Sequence, residues 1–146
     1  MGHIEARRTL SASPEALWGV VADLENWDKW FGIHERWMEQ PPAQLEVGSK
    51  LVAKIVMLGM ANKMEWTVAE LDPPNRLALN GTGMANVKVA FVFTITPVAE
   101  GSELTVVGDF TGTLVKGALA KAIEKDGVKQ LDSSLNALDE LANAKS

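Results

Sequence analysis

The last thirty residues carry the pattern that most restricts how this chain can fold. Their apolar residues recur every three or four positions, as on one face of a helix: Leu114, Ala118, Leu119, Ala122, Ile123, Val128, Leu131, Leu135, Leu138 and Leu141. This spacing predicts one long helix over residues 115–142, about 40 Å in length at ~1.5 Å per residue. Such a helix must lay its apolar face on a surface of similar length, which the rest of the chain has to supply.

The middle of the chain has a period of two, which predicts an antiparallel sheet. Alternation of apolar and polar residues runs over 51–57, 64–68, 76–81, 86–96 and 102–113. The sequence Asp72-Pro73-Pro74-Asn75 is typical of a turn, and the links at 82–85 and 99–101 are too short for parallel neighbours. The strands are therefore predicted to form a meander.

The N-terminal segment predicts one strand followed by two short helices. Residues 4–10 alternate and place Arg8 on the same face as apolar residues. Ser13 is suited to cap a helix over 14–23, with Pro14 in its first turn, and residues 25–31 have the spacing of a second helix. A chain of 146 residues fits one domain, spanning 1–146.

Tryptophan and methionine are concentrated in this chain, which has five tryptophans and no tyrosine. Tryptophan combines a large apolar body with an N–H that needs a partner, and methionine adapts to irregular spaces. We interpret the concentration as the lining of a hydrophobic cavity; an ordinary solid core is the alternative. The candidate wall residues are Trp27, Trp30, Trp37, Met57, Met64, Trp66, Met84, Phe91, Phe93 and Phe110.

Composition excludes several classes of function. A net charge of −5 disfavours nucleic acid as a partner, and the absence of cysteine removes disulfides and thiolate chemistry. His3 and His34 have no neighbours at metal-ligand spacing, so we expect no metal and no cofactor. His34 is expected at the surface, on the opposite side of its segment from Glu35. No catalytic motif is recognisable, and the catalytic residues, if any, stay unassigned.

The N-terminus has no apolar signal region, and no run of apolar residues reaches the length of a membrane span. We therefore expect a protein of the cytoplasm with no membrane span.

Two strings near the N-terminus, together with the order of the elements, resemble a known superfamily. The strings are residues 11–18 (SASPEALW) and 22–27 (ADLENW). They look like the capped first helix and following turn of the START-related superfamily, which includes lipid-transfer domains, pollen-allergen proteins and polyketide cyclase/dehydrase proteins. The resemblance implies an α+β helix-grip fold: a curved antiparallel sheet wrapped around a long C-terminal helix, with two short N-terminal helices.

The same resemblance implies a function, namely binding of a hydrophobic or amphipathic small molecule in an internal cavity between the sheet and the C-terminal helix. A cyclase- or dehydratase-like enzyme is an alternative. Arg8 and Asn80 are the candidate polar groups of the cavity. Related folds place the first and last strands side by side, so Asp109 is a candidate partner for Arg8; alternatively, the guanidinium reaches out at the strand end.

A narrower resemblance concerns residues 30–37 (WFGIHERW) and 64–67 (MEWT). These strings look like an actinobacterial branch of the superfamily in which one member is described as the toxin of a toxin–antitoxin pair. The resemblance implies a second alternative, a toxin-like role exerted through a protein partner, with an antitoxin-like protein as its counterpart.

Overall fold

The computed structural model describes residues 2–42, 44–57, 60–83, 87–112 and 117–145, with the backbone alone for residues 57, 60, 144 and 145. In chain order the elements are β1 (Gly2–Leu10), α1 (Pro14–Val21), a 3₁₀ turn (Leu24–Asn26), α2 (Trp27–Trp30), β2 (His34–Trp37), β3 (Lys50–Met57), β4 (Met60–Asp72), β5 (Arg76–Thr82), β6 (Lys88–Val98), β7 (Gly101–Thr111) and α3 (Gly117–Lys145).

All seven strands belong to one antiparallel sheet with the order β1-β7-β6-β5-β4-β3-β2. From β3 to β7 the strands follow one another as the predicted meander, and β1 closes the far edge by pairing with β7. The sheet curls into a half barrel around α3. The predicted α+β helix-grip fold is therefore confirmed, including the adjacency of the first and last strands.

The first N-terminal helix begins where the sequence predicts. The Ser13 hydroxyl accepts a hydrogen bond from the Ala16 N–H at 3.2 Å, and Pro14 occupies the first helical position. The predicted second helix is divided, because a 3₁₀ turn capped by Asp23 precedes the single turn of α2. Both helices bury their apolar face beneath α3, with which they are in contact.

The C-terminal helix covers the 29 residues Gly117–Lys145, and positions 115 and 116 of the predicted helix fall outside the described residues. Its buried face follows a spacing of three and four residues and consists of Ala120, Ile123, Gly127, Leu131, Ser134, Leu135, Leu138 and Ala142. Lys121, Lys125 and Lys129 are exposed, as predicted. Four residues that were assigned to the apolar stripe from their spacing are exposed, namely Ala118, Leu119, Ala122 and Val128. The apolar arc of α3 is wider than its contact with the sheet and the short helices, so these four side chains lie beyond the edge of that contact.

Strand β2 was not predicted from the sequence. It has four residues, and its pairing with β3 shifts register between His34 and Arg36. A bulge in so short a strand removes the alternation on which a prediction depends. This strand carries His34 and Trp37 to the edge of the sheet, where they join the core built on α2.

Candidate functional site

Alternation along the central strands directs their largest side chains toward α3. Met64 and Trp66 on β4 and Phe91 and Phe93 on β6 are all buried. Gly81 on the neighbouring strand β5 is the register partner of Trp66, and a Cβ added to it would lie 2.7 Å from the indole ring. The Trp66 ring therefore fits because its partner on β5 has no side chain.

The rings beneath α3 form one continuous group, which we call the aromatic cluster. Its members are Trp27, Trp30, Phe31, His34, Trp37, Trp66, Phe91, Phe93 and Phe110. Phe31 lies at its centre: its ring centroid is 5.2 Å from that of Trp30, 5.5 Å from Phe91 and 6.4 Å from Trp66. Most neighbours meet edge to face, the arrangement that aromatic quadrupoles favour. Phe31 followed Trp30 in the predicted helix, but its central position was missed because it depends on strands far away in sequence.

The indole N–H groups of the cluster fall into two kinds. Trp27 donates to the Val21 carbonyl at 2.9 Å, and Trp37 donates to the Leu24 carbonyl at 2.8 Å. The Nε1 atoms of Trp30 and Trp66 are buried and have no hydrogen-bond partner among the described residues. Buried polar groups are nearly always paired in folded proteins, so these two donors distinguish the interior from a plain apolar core.

His34 is the candidate functional residue whose position was predicted wrongly from the sequence. It was expected at the surface, but only 5% of it is exposed, and its ring lies 4.4 Å from that of Trp37 and 5.9 Å from that of Trp27. The predicted opposition to Glu35 is confirmed, since Glu35 points outward and pairs with Lys54 at 2.8 Å. The wrong member of the pair was assigned to solvent, because a single alternation does not say which face is the core.

Burial governs the protonation of His34. It lowers the pKa of the imidazole from 6.5 to about 4, and the negative charge of Asp28 offsets only part of this effect. The ring is therefore neutral at pH 7. Its Nδ1 atom is buried without a hydrogen-bond partner among the described residues.

The space enclosed between α3 and the sheet is small. The cavity there has a volume of about 10 Å³, room for roughly one water molecule, and its walls are apolar. It is lined by Ile4, Phe31, Ile33, Phe91, Phe110, Gly127, Gln130, Leu131 and Ser134. Gly127 permits close approach of α3, since an added Cβ would stand 3.0 Å from the Ile4 side chain. The described interior is a nearly closed aromatic core rather than an open container.

Seven of the ten predicted wall residues are buried in this core, and Trp37 is half-buried at its rim; the seven are Trp27, Trp30, Met64, Trp66, Phe91, Phe93 and Phe110. The backbone of Met57 lies on β3 next to Met60, and Met84 falls outside the described residues. The structure therefore gathers most of the predicted wall residues at one place, beneath α3.

The two predicted polar groups of the cavity lie elsewhere. Arg8 reaches out from β1 to α3, where it donates to the Asn136 side chain and pairs with Asp132 at 3.2 Å. Its candidate partner Asp109 is not the residue it contacts: Asp109 stands opposite His3 in the register and accepts from the His3 ring at 2.6 Å. Asn80 is exposed on the outer face of β5, because alternation turns it away from its buried neighbours, so its assignment to the cavity was also wrong.

Two further observations concern metal-binding groups and membrane-spanning helices. The part of the chain that the structure describes contains no group of three or more histidine, aspartate or glutamate side chains placed to hold a metal ion. Within the same residues, no helix combines the length and the apolar character needed to cross a membrane.

Comparison with known proteins agrees with this architecture. The family model described as polyketide cyclase/dehydrase and lipid transport matches residues 1–143. The chain belongs to this family. The uncharacterized protein Rv1546 of Mycobacterium tuberculosis is 30% identical to it over 141 residues, which are 97% of this chain and 99% of the relative. The protein named Toxin Rv0910, from the same organism, is 34% identical over 89 residues, 61% of this chain and 62% of its own length.

Solved structures share the fold at low sequence identity. A START superfamily protein from Mycobacterium smegmatis superimposes with a TM-score of 0.80 over the full length of both chains, at 16% identity. The Zhui aromatase/cyclase from Streptomyces sp. R1128 has a TM-score of 0.76 at 18% identity, covering 98% of this chain and 94% of that one. These neighbours confirm the helix-grip fold of this family member and nothing finer.

Proposed function

We propose that this protein binds a hydrophobic or amphipathic small molecule between α3 and the concave face of the sheet. The observation that carries the proposal is the aromatic cluster, whose rings are buried under one helix while two of its indole N–H groups lack an acceptor within the described chain. Membership of a family described by lipid transport and polyketide cyclisation supports it. Affinity would come mainly from apolar burial, with a few polar groups fixing the orientation.

Binding of a molecule with two or three rings requires the interior to open. Ligand pockets usually measure ~300–1,000 Å³, whereas the cavity that the described residues line beneath α3 measures about 10 Å³. Phe31 and its stacked neighbour Trp30 are suited to such a movement, because the short α2 and the segment after it carry both rings. Ligand binding is therefore expected to displace α2 relative to α3.

The direct test is native mass spectrometry of the freshly purified protein, followed by titration with fatty acids, flavonoid-like aromatics and polyketide-like compounds. A ligand should change tryptophan fluorescence and raise the melting temperature together, because a molecule selective for the folded state stabilises it by mass action. Trp66→Ala should weaken the response more than Trp18→Ala, since Trp66 is buried in the cluster and Trp18 is half-buried on α1.

Trp66→Phe, which keeps a ring at this position, serves if the alanine variant does not fold. A library that produces neither a fluorescence change nor a thermal shift would identify the cluster as a solid core and reject the proposal.

A toxin-like role is a second candidate, supported by the match of this chain to the protein named Toxin Rv0910. It predicts that expression of the chain slows growth and that co-expression of the neighbouring gene's product relieves the effect. A Leu135→Asp variant, which disrupts the core beneath α3, should be harmless at the same expression level. Unimpaired growth at high expression of folded wild-type protein would reject this role.

The cyclase- or dehydratase-like alternative depends on a proton-transferring group in the interior. His34 is the buried titratable residue of the aromatic cluster, but a pKa of about 4 makes its imidazole a poor proton acceptor at pH 7. A neutral imidazole in this position is suited to hydrogen bonding. We therefore favour ligand binding over catalysis.

A further inference from the structure

Two of the four tryptophans in the aromatic cluster have a structural hydrogen bond, and two do not. Trp27 and Trp37 donate to backbone carbonyls at 2.9 and 2.8 Å. Trp30 and Trp66 are 2% and 0% exposed, yet their indole N–H groups meet no acceptor among the described residues. The fold therefore holds these two donors away from water without satisfying them, which destabilises the protein as long as they stay unpaired.

The unpaired groups lie in one region of the interior. Trp30 stacks on Phe31 at 5.2 Å, and Trp66 lies 6.4 Å from the same ring. His34, whose Nδ1 is also without a partner in the described chain, is 5.9 Å from Trp27, which in turn is 5.8 Å from Trp30. The rings of Trp30 and Trp66 contact Phe31 directly, and the His34 ring is connected to Phe31 through Trp27. A molecule that displaced Phe31 would lie beside the rings of Trp30 and Trp66, with Trp27 between it and His34.

The charged residues near the aromatic cluster indicate whether the ligand group that accepts from Trp30 and Trp66 is charged or neutral. The buried part of the described chain contains no lysine or arginine, and Arg8 is held at the outside of α3 by Asp132 and Asn136. A carboxylate placed among the rings would have no buried counter-ion among the described residues, which makes its burial very unfavourable. Neutral oxygen acceptors avoid this penalty, and flat rings fit the ring faces and edges of the cluster.

We propose that Trp30 and Trp66 are specificity-determining residues that donate hydrogen bonds to carbonyl or hydroxyl oxygens of a neutral, ring-containing ligand. This inference rests on the proposed binding function. It selects a class of ligand within it: oxygenated ring compounds are preferred over hydrocarbons of the same shape and over fatty-acid anions.

Matched probes test the assignment. Fluorene and 9-fluorenone share one ring skeleton and differ in a carbonyl, as do the smaller tetralin and 1-tetralone, and 9-fluorenecarboxylate adds a negative charge. The ketones should bind about tenfold more tightly than the hydrocarbons, the effect of satisfying one buried donor, and the carboxylate should bind more weakly than the ketone. In a ¹H–¹⁵N spectrum, the indole N–H signal of Trp30, of Trp66 or of both should move downfield with a ketone and stay in place with a hydrocarbon.

Phenylalanine variants separate the hydrogen bond from the ring. The double variant Trp30→Phe/Trp66→Phe should bind ketone and hydrocarbon equally, whereas Trp18→Phe should retain the full preference. If the double variant does not fold, each single variant should reduce the preference.

Equal binding of ketone and hydrocarbon by the wild type, with unmoved indole signals, would overturn the assignment and leave the binding function intact. Failure of all five probes to bind to a protein that does bind a fatty acid would also overturn the assignment alone, whereas failure of the probes and of the whole library would overturn both.

Discussion

Single glycines decide whether the large rings of this protein fit on their sheet. Gly81 pairs with Trp66, and Gly108 pairs with Phe91; an added Cβ at either position would come within 2.7 Å of the facing ring. A residue with no side chain on one strand thus leaves the volume that an aromatic residue on the next strand occupies. His34 is another single residue with a large effect, because burial among tryptophans keeps its polar ring neutral.

Gly81→Ala is expected to destabilise the protein by about 1–3 kcal/mol, because the new methyl group overlaps Met64 and Trp66 in a core with little free space. Gly19→Ala is the matched control: Gly19 lies in α1 with nothing within 4 Å of the added Cβ, so alanine should stabilise the helix by up to ~1 kcal/mol. Chemical denaturation of both variants measures the difference. If Gly81→Ala does not lower the free energy of unfolding relative to Gly19→Ala, the close packing of Gly81 against Met64 and Trp66 is contradicted.

Acid should destabilise the fold through His34. The folded-state pKa of about 4 lies below the unfolded value of 6.5, so the unfolded chain binds a proton first as the pH falls. The stability present above pH 6.5 is therefore lost between about pH 6.5 and pH 4, by about 3 kcal/mol in total.

The experiment uses a His3→Gln background, because the hydrogen bond to Asp109 raises the pKa of His3 and adds a separate titration. Adding His34→Phe should flatten the dependence between pH 6.5 and 4.5 in urea denaturation. An equally steep loss in both proteins would assign the acid sensitivity to other groups.

At the level of elements, α3 is the second wall of the core. Its buried face lies against β1, α1 and α2, and polar side chains fasten its outer side to the N-terminal segment. Ser11 donates to Asp139 at 3.2 Å, and the Ser134 hydroxyl accepts from the Gly32 N–H at 2.9 Å. These contacts join residues more than one hundred positions apart, which makes α3 part of the same cooperative unit as the sheet.

Leu138→Ala should reduce the free energy of unfolding by about 2–5 kcal/mol, because Leu138 is completely buried and its removal leaves a cavity under the helix. Leu119→Ala in the same helix should change it by less than ~0.5 kcal/mol, since Leu119 is 37% exposed. Thermal and urea denaturation check the pair. Similar losses from both substitutions would mean that α3 presents a different face to the core.

For the molecule as a whole, the fold encloses its aromatic cluster almost completely. The curled sheet covers one side, α3 the other, and α2 carries Trp27 and Trp30 into the gap between them. A closed ground state and a binding function are compatible if a less populated open state admits the ligand. The apparent affinity is then reduced by the fraction of molecules that are open.

Ligand association should consequently be slow and limited by opening. With 1-tetralone in excess, the observed rate of the tryptophan fluorescence change should reach a plateau as its concentration rises, and the initial slope should fall below the usual ~10⁵–10⁷ M⁻¹s⁻¹ for binding without rearrangement. Stopped-flow fluorescence measures both quantities. A rate that stays linear in ligand concentration at values near the diffusion limit would indicate a site that is already open.

The sequence by itself determined the elements whose signal is local. The period-two runs predicted β3 to β7, Ser13 and Pro14 predicted the start of α1, and the leucine spacing predicted α3, because each pattern is written in neighbouring residues. It also identified most of the aromatic residues that meet under α3, since large apolar side chains on the inward face of a sheet have few other places to go.

Only the tertiary structure decided which polar groups enter the core and how much space remains there. Arg8 and Asn80 were candidates for the cavity and lie outside it, whereas His34 was expected outside and is buried. Alternation specifies two faces but not which one is covered, and a bulge in β2 obscures even that. The pairing of an indole N–H depends on carbonyls brought close by folding. The unpaired donors of Trp30 and Trp66 therefore have no signature in the sequence.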